Sequence, residues 1–122
     1  MVKILLVEDD PIMAKMYFTT LVASGYEVQL ANDGEEGLLK AKSFAPALIL
    51  LDVMMPKMNG MEVLAHLKAD PETKAIHVVM LTNLSGDVDA ETALAKGADK
   101  YLIKSDYEPP QVADIIKGIV GS

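Results

Sequence analysis

Five consecutive apolar residues, Ala47-Leu-Ile-Leu-Leu51, run without alternation into a single acid, Asp52, and then into Val53-Met-Met-Pro-Lys-Met-Asn-Gly60. A run of this kind, with no polar alternate face, reads as a strand buried on both sides, the mark of a central strand in a parallel sheet. Asp52 stands where that strand stops. Open α/β sheets bind ligands beyond the carboxyl ends of their strands, so this carboxylate is a candidate for a site. On this segment alone, an Asp that only opens a turn reads the same way.

The chain has 122 residues, which suits one domain, residues 1–122, with a core large enough to need no staples. It contains no Cys, so disulfides and thiolate metal sites are excluded. No stretch is long and apolar enough to span a membrane, and Met1-Val-Lys-Ile-Leu-Leu-Val7 lacks the cationic leader and cleavage site of a signal peptide. A cytoplasmic protein with no membrane partner is expected. Eighteen acids against eleven bases give a net charge of -7, which disfavours direct binding to nucleic acid. Three of the acids, Glu8-Asp-Asp10, are consecutive.

Apolar, β-branched runs recur at residues 2–7, 26–31, 47–51, 76–81 and 99–103, each followed by a helix-like segment. Asp10-Pro11 opens the first helix, Ser24-Gly25 closes it, and Met13, Met16, Tyr17 and Leu21 are its expected inner face. Asp33 with Glu36 gives a capping-box-like start to the second helix, which carries Leu38, Ala41 and Phe44 at helical spacing. Asn59 with Glu62 repeats the device before Val63, Leu64 and Leu67, and that helix ends before Pro71. The fourth helix, about residues 87–96 with a Gly97 stop, has small apolar residues and a weak stripe, so it is expected to be the least firmly held. Glu108-Pro109-Pro110 opens the fifth, which docks through Val112, Ile115, Ile116 and Ile119.

Strands alternating with helices imply parallel pairing through right-handed crossovers. The expected fold is α/β, a flavodoxin-like, doubly wound, five-stranded parallel sheet of order 2-1-3-4-5 with five helices. In that order the first and third strands are neighbours, so Glu8, Asp9 and Asp52 meet in one crevice. Two carboxylates ~4 Å apart repel by roughly 4 kcal/mol at an effective dielectric near 20, so three anions call for a proton or a cation. Mg²⁺, with its preference for oxygen ligands, is the expected cofactor; Asp10 is needed only as a helix cap. Thr82 and Lys104 end the fourth and fifth strands. Each alone reads as a cap or a surface charge, but with the acids they complete a set: metal ligands, a nucleophilic carboxylate, a hydroxyl donor and a cation for phosphoryl oxygens.

The chain resembles the receiver domains of two-component response regulators. The likeness runs through Ile4-Leu-Leu-Val-Glu-Asp-Asp-Pro11, Ala47-Leu-Ile-Leu-Leu-Asp-Val-Met-Met-Pro-Lys-Met-Asn-Gly60, Met80-Leu-Thr82 and Gly97-Ala-Asp-Lys-Tyr-Leu-Ile-Lys104. It implies a phosphorylation-dependent switch, not a turnover enzyme, in which Asp52 accepts a phosphoryl group from a histidine kinase or phosphotransfer protein. It implies Mg²⁺ held by Asp9, Asp52 and the Met54 backbone carbonyl, with Glu8 completing the pocket largely through water. Lys104 would pair with the phosphoryl group, the Thr82 hydroxyl would move toward it, and Tyr101 would change rotamer as the switch residue. The loops after the fourth and fifth strands would draw in. A face made by the fourth helix, fifth strand and fifth helix would meet a downstream protein; the chain reads as a stand-alone receiver or one excised from a larger regulator, with that contact as the expected output.

The chain also departs from the family pattern. Ser105 follows Lys104 where Pro is usual, Asn83 follows Thr82 where a small residue is usual, and Ala47 replaces a frequent Asp. Asn83 bears on the lifetime of the phosphorylated state. Among rivals, a haloacid-dehalogenase-type phosphatase would need a second Asp where Met54 stands, and a flavodoxin-type FMN site would place its phosphate against Glu8-Asp-Asp10. A pseudo-receiver would not need the full Asp, Thr and Lys set. His66 and His77 read as structural, the methionines as core filling, with Met54, Met55 and Met58 shaping the pocket mouth.

Overall fold

The computed structural model of the chain describes residues 1–83 and 87–121. The run ending at Asp52 forms β3 (Leu48–Asp52), buried at every position. β1 (Lys3–Val7) and β4 (His77–Thr82) flank it, both parallel to it. β2 (Glu27–Ala31) pairs with β1 and β5 (Lys100–Ile103) with β4, so the sheet has the order β2-β1-β3-β4-β5. This is the expected flavodoxin-like order, and each strand boundary lies within one residue of its expected place. The helices described are α1 (Pro11–Ala23), α2 (Gly34–Ser43), α3 (Gly60–Ala69), α4 (Asp87–Ala95) and α5 (Pro109–Val120).

Strand alternation divides the core into two layers. Leu5, Val7, Ile49, Leu51, Val78 and Met80 face Ala41 and Phe44 at α2, Val63, Leu64 and Leu67 of α3, and Ala93 of α4. Ile4, Leu6, Leu48, Leu50, Val79, Leu81 and Leu102 face the other way, toward Tyr17 and Leu21 of α1 and Val112, Ala113 and Ile116 of α5. The same alternation assigns the residues at the strand ends. Asp52 continues the parity of Leu48 and Leu50, on the α1 and α5 side, and Thr82 continues that of Val78 and Met80, on the α4 side.

Side-chain caps fix where the helices begin. Asp10 Oδ1 accepts from the Ile12 and Met13 N–H groups at 2.9 and 3.3 Å. Asp33 and Asn59 accept from the N–H groups of Glu36 and Glu62 at 2.8 and 3.0 Å. The capping box expected at Asp33 is displaced by one residue, because Glu36 reaches back to the N–H of Asn32.

One expectation for α1 is corrected. Met16 is 43 % exposed, and the inner face is Ala14, Tyr17 and Leu21, with Met13 partly buried against it. α1 is apolar over most of its circumference, so periodicity could not separate Met16 from the core positions; the buried face is the one that carries Ala14, Tyr17 and Leu21. Ile12, Phe18 and Val22 are exposed as well.

The amino ends of β4 and β5 are clasped together. Lys68 Nζ donates to the carbonyls of Lys74 and Ile76 at 3.0 and 2.8 Å, on the approach to β4. Asp99, just before β5, accepts from the Val78 N–H at 2.9 Å and lies 3.1 Å from His77 Nδ1. His77 is thus structural, as expected.

The layer beneath β3 predicts a contrast between two apolar truncations. Leu67→Ala, at a wholly buried position, is expected to lose about 2–5 kcal/mol in urea unfolding. Ile12→Ala, at a position 72 % exposed, should change stability by less than about 0.5 kcal/mol. Similar losses for the two would refute the assignment of the core.

Candidate functional site

The register of the sheet brings the candidate residues to one edge. Val7 pairs with Leu51, so Glu8 follows β1 beside the position where Asp52 ends β3. Asp52 pairs with Leu81, one residue short of Thr82, and Thr82 pairs with Ile103, one residue short of Lys104. Carboxylate oxygens of Glu8, Asp9 and Asp52 all lie within 4.8 Å of one another. Glu8 and Asp52 are 2 % and 5 % exposed, whereas Asp9 is open to solvent.

Lys104 closes this group from the far side of the sheet. Its Nζ lies 2.7 Å from Glu8 Oε1 and 3.7 Å from Asp52 Oδ1, with the lysine side chain only 7 % exposed. The Lys104–Glu8 contact is both a hydrogen bond and an ion pair, between groups that would be costly to bury singly. Glu8 Oε2 also accepts from the Asp10 N–H at 3.3 Å, and Asp52 Oδ1 from the Met54 N–H at 3.2 Å. Lys104 begins a 3-10 turn, Lys104–Asp106, and no cis peptide occurs among the described residues.

Burial dominates the electrostatics. It pushes the Asp52 carboxyl up to about 7; a hydrogen bond and the charge of Glu8 push the same way, while Lys104 and the Met54 N–H oppose them. Burial works against the Lys104 ammonium, but the Glu8 hydrogen bond and the charges of Asp52, Glu8 and Tyr17 outweigh it and hold the lysine above its usual value. Tyr17, on the inner face of α1, lies beneath the group. Burial raises its hydroxyl, Lys104 lowers it, and Glu8 and Asp52 raise it further.

Glu8, Asp9, Asp52 and Lys104 are therefore in one cluster. Thr82 is wholly buried at the end of β4, and Tyr101 of β5 packs, partly buried, in the layer of α2, α3 and α4. The expected movement of the loop after β4 falls partly on residues 84–86, which lie outside the described residues. Met54 is 55 % exposed and Met55 buried beside the mouth. Two features escaped the sequence reading. The Lys104–Glu8 pair was not foreseen, because Lys104 was assigned only to an incoming anion, and Tyr17 was read as packing alone. The parity of β5, with Leu102 and Lys104 on one side, is the signal that could have found the pair.

The donor set fits a hard divalent cation: carboxylate oxygens of Glu8, Asp9 and Asp52 clustered within 4.8 Å, two of the three acids buried, and no sulfur ligand among them. Residues 4–117 match the family of the response regulator receiver domain. The chain belongs to that family. Receiver domains are signalling switches of two-component systems, not substrate-turnover enzymes, and they interact with histidine kinases or phosphotransfer proteins. The chain is 38 % identical over 110 residues to the DNA-binding response regulator MtrA of Mycolicibacterium smegmatis, covering 90 % of this chain and 46 % of MtrA. This receiver domain thus spans about half the length of the curated relatives it matches. The Vibrio cholerae chemotaxis protein CheY4 superposes with a TM-score of 0.90 at 31 % identity, covering 98 % of each chain. The Mn²⁺-bound form of the response regulator Rcp1 superposes at 0.79 and 31 % identity, covering 98 % of this chain and 91 % of that one. Among the described residues, no helix is long and apolar enough to cross a membrane.

The raised Asp52 pKa predicts a pH dependence in metal-free protein. The folded carboxyl titrates near 7 and the unfolded one near 3.8, so the folded state holds the proton more tightly between these values. Stability linked to Asp52 is complete below the unfolded value and is lost as the pH rises through 7. Asp52→Asn carries no charge to lose. With a chelator at about pH 8 it should melt a few degrees above the parent, on the order of 1 kcal/mol, and the gap should shrink toward about pH 5. A gap that is the same at both pH values would contradict the electrostatic origin.

Proposed function

We propose that this receiver domain accepts a phosphoryl group on Asp52 from a histidine kinase or phosphotransfer protein and reports it through α4, β5 and α5. The observation that carries this reading is the buried Asp52 carboxylate at the end of the central strand, 3.7 Å from a buried lysine and clustered with Glu8 and Asp9.

In the transfer, an Asp52 oxygen forms a bond to phosphorus as the bond from phosphorus to a donor imidazole nitrogen breaks. The imidazole leaves with the electron pair, and the product is an acyl phosphate. Phosphoryl transfer asks little of protein side chains beyond position and charge. Glu8, Asp9, Asp52 and the Met54 backbone carbonyl would hold Mg²⁺, which supplies positive charge to the phosphoryl oxygens. The Met54 N–H keeps one Asp52 oxygen directed, leaving the other for attack.

Lys104 begins paired with Glu8 and turns toward the phosphoryl oxygens once they arrive, exchanging one anion for a stronger one. Thr82 approaches from the α4 side, where strand parity puts it on the same layer as Tyr101, which provides a route from site to surface. The net charge of -7 argues against nucleic-acid contact by these residues and, with the absence of a spanning helix among those described, fits a cytoplasmic setting.

Intact-mass measurement after incubation with acetyl phosphate tests the reading. One phosphoryl group is expected on the parent in the presence of Mg²⁺, with labelling lost on chelation and in Asp52→Ala. Undiminished labelling of Asp52→Ala would overturn it. Lys104→Met should still be labelled but should fail to show the spectral changes in α4 and β5 that accompany phosphorylation of the parent.

A further inference from the structure

The loop between β3 and α3 is closed at its base by a glycine. The Gly60 N–H donates to the Val53 carbonyl at 2.8 Å, joining the first residue of α3 to the residue after Asp52. A Cβ on Gly60 would overlap the Asp52 carbonyl oxygen and would lie 2.8 Å from the Val53 Cα and 2.9 Å from the Asp52 carbonyl carbon. All three are backbone atoms, so no side-chain rotation relieves the overlap. Gly34 and Gly37 are also crowded: a Cβ on Gly34 would lie 2.8 Å from a Val63 methyl and 3.1 Å from the Met58 carbonyl oxygen of this same loop, whereas one on Gly37 would meet the Val7 side chain, at 3.0 Å.

Within this closed loop the Met58 N–H bonds to the Pro56 carbonyl at 2.8 Å and Lys57 takes a φ of 68°. The loop is therefore tied at its base and turned sharply near its tip. The Met54 peptide, whose N–H holds Asp52 Oδ1, hangs from the same Val53 that Gly60 grips.

We propose that Gly60 is a positioning residue for the Asp52 site, because the absence of its side chain lets α3 rest directly on the Asp52–Val53 peptide and fix the Met54 peptide beside the carboxylate. This rests on the reading that Asp52 and the Met54 carbonyl hold Mg²⁺. Displacing that peptide by a fraction of an ångström would spoil ligand geometry while leaving both core layers intact.

Calorimetric titration of Mg²⁺ into the metal-free chain tests it, with thermal melts and amide exchange at Gly60 and Met54 recorded in parallel. Gly60→Ala is expected to weaken Mg²⁺ binding by about tenfold or more, whereas Gly37→Ala, which presses only on the Val7 side chain, should lower the Tm and leave the affinity of the folded protein unchanged. A third variant, with one glycine inserted between Met58 and Asn59, releases the Gly60 grip without adding a Cβ and should also lose affinity. It decides the matter alone where Gly60→Ala does not fold. Parent-like affinity in folded Gly60→Ala or in the insertion variant, or an equal loss of affinity in Gly37→Ala, would overturn the proposal. A parent chain that binds no Mg²⁺ would instead overturn the reading of the site, and this inference with it.

Discussion

Like charges held together at the edge of a rigid sheet are the constraint on which the rest of this structure turns. Parallel pairing fixes the ends of β1 and β3 side by side, so Glu8 and Asp52 cannot move apart without breaking the ladder between Val7 and Leu51. Their repulsion is met by one ammonium delivered from the opposite end of the chain, since Lys104 and Glu8 are separated by 96 positions. That bond connects the first strand to the last, across the two central strands. The fold thus supplies the crowding and also the means of relieving it, and the relief is incomplete because burial, with Glu8 behind it, still makes Asp52 resist ionisation near neutral pH.

An incomplete balance suits a switch. A fully compensated cluster would gain little from a new ligand, and an uncompensated one would not fold around its acids. Under the proposed reading, a divalent cation or a phosphoryl group would each change the pairing of the same lysine. The electrostatic state of the edge therefore depends on what occupies it. Sequence alternation then decides which side feels the change: Glu8, Asp52 and Lys104 share the parity that faces α1 and α5, whereas Thr82 and Tyr101 share the other.

Much of this was legible before any coordinates. The uninterrupted run 47–51 reads as an inner strand, and the turn and cap residues around Asp10, Asp33 and Asn59 located the helix starts. What stayed hidden depends on distances between elements. Met16 could not be told from a core residue on a helix apolar nearly all round, and only the burial of Ala14, Tyr17 and Leu21 settled its rotation. Asn59-Gly60 looked like a helix start, which it is, but the demand for a missing Cβ arises where α3 meets the backbone of β3, a contact no local pattern encodes. The acid cluster was legible because strand order alone creates it; the Lys104–Glu8 bond was not, because it depends on side-chain reach.

The clasp at the amino ends of β4 and β5 has a mechanical consequence. Lys68 ties down the two carbonyls at the approach to β4, and Asp99 binds the start of β5 to Val78. Strands pinned at one pole are levers with a fixed fulcrum, and their working ends are Thr82 and Lys104. Under the proposed reading, a displacement at the charged pole would spread outward toward α4 and α5 instead of being absorbed as a slide of the whole sheet, and this pair of strands would convert an event of atomic size into a change of surface shape.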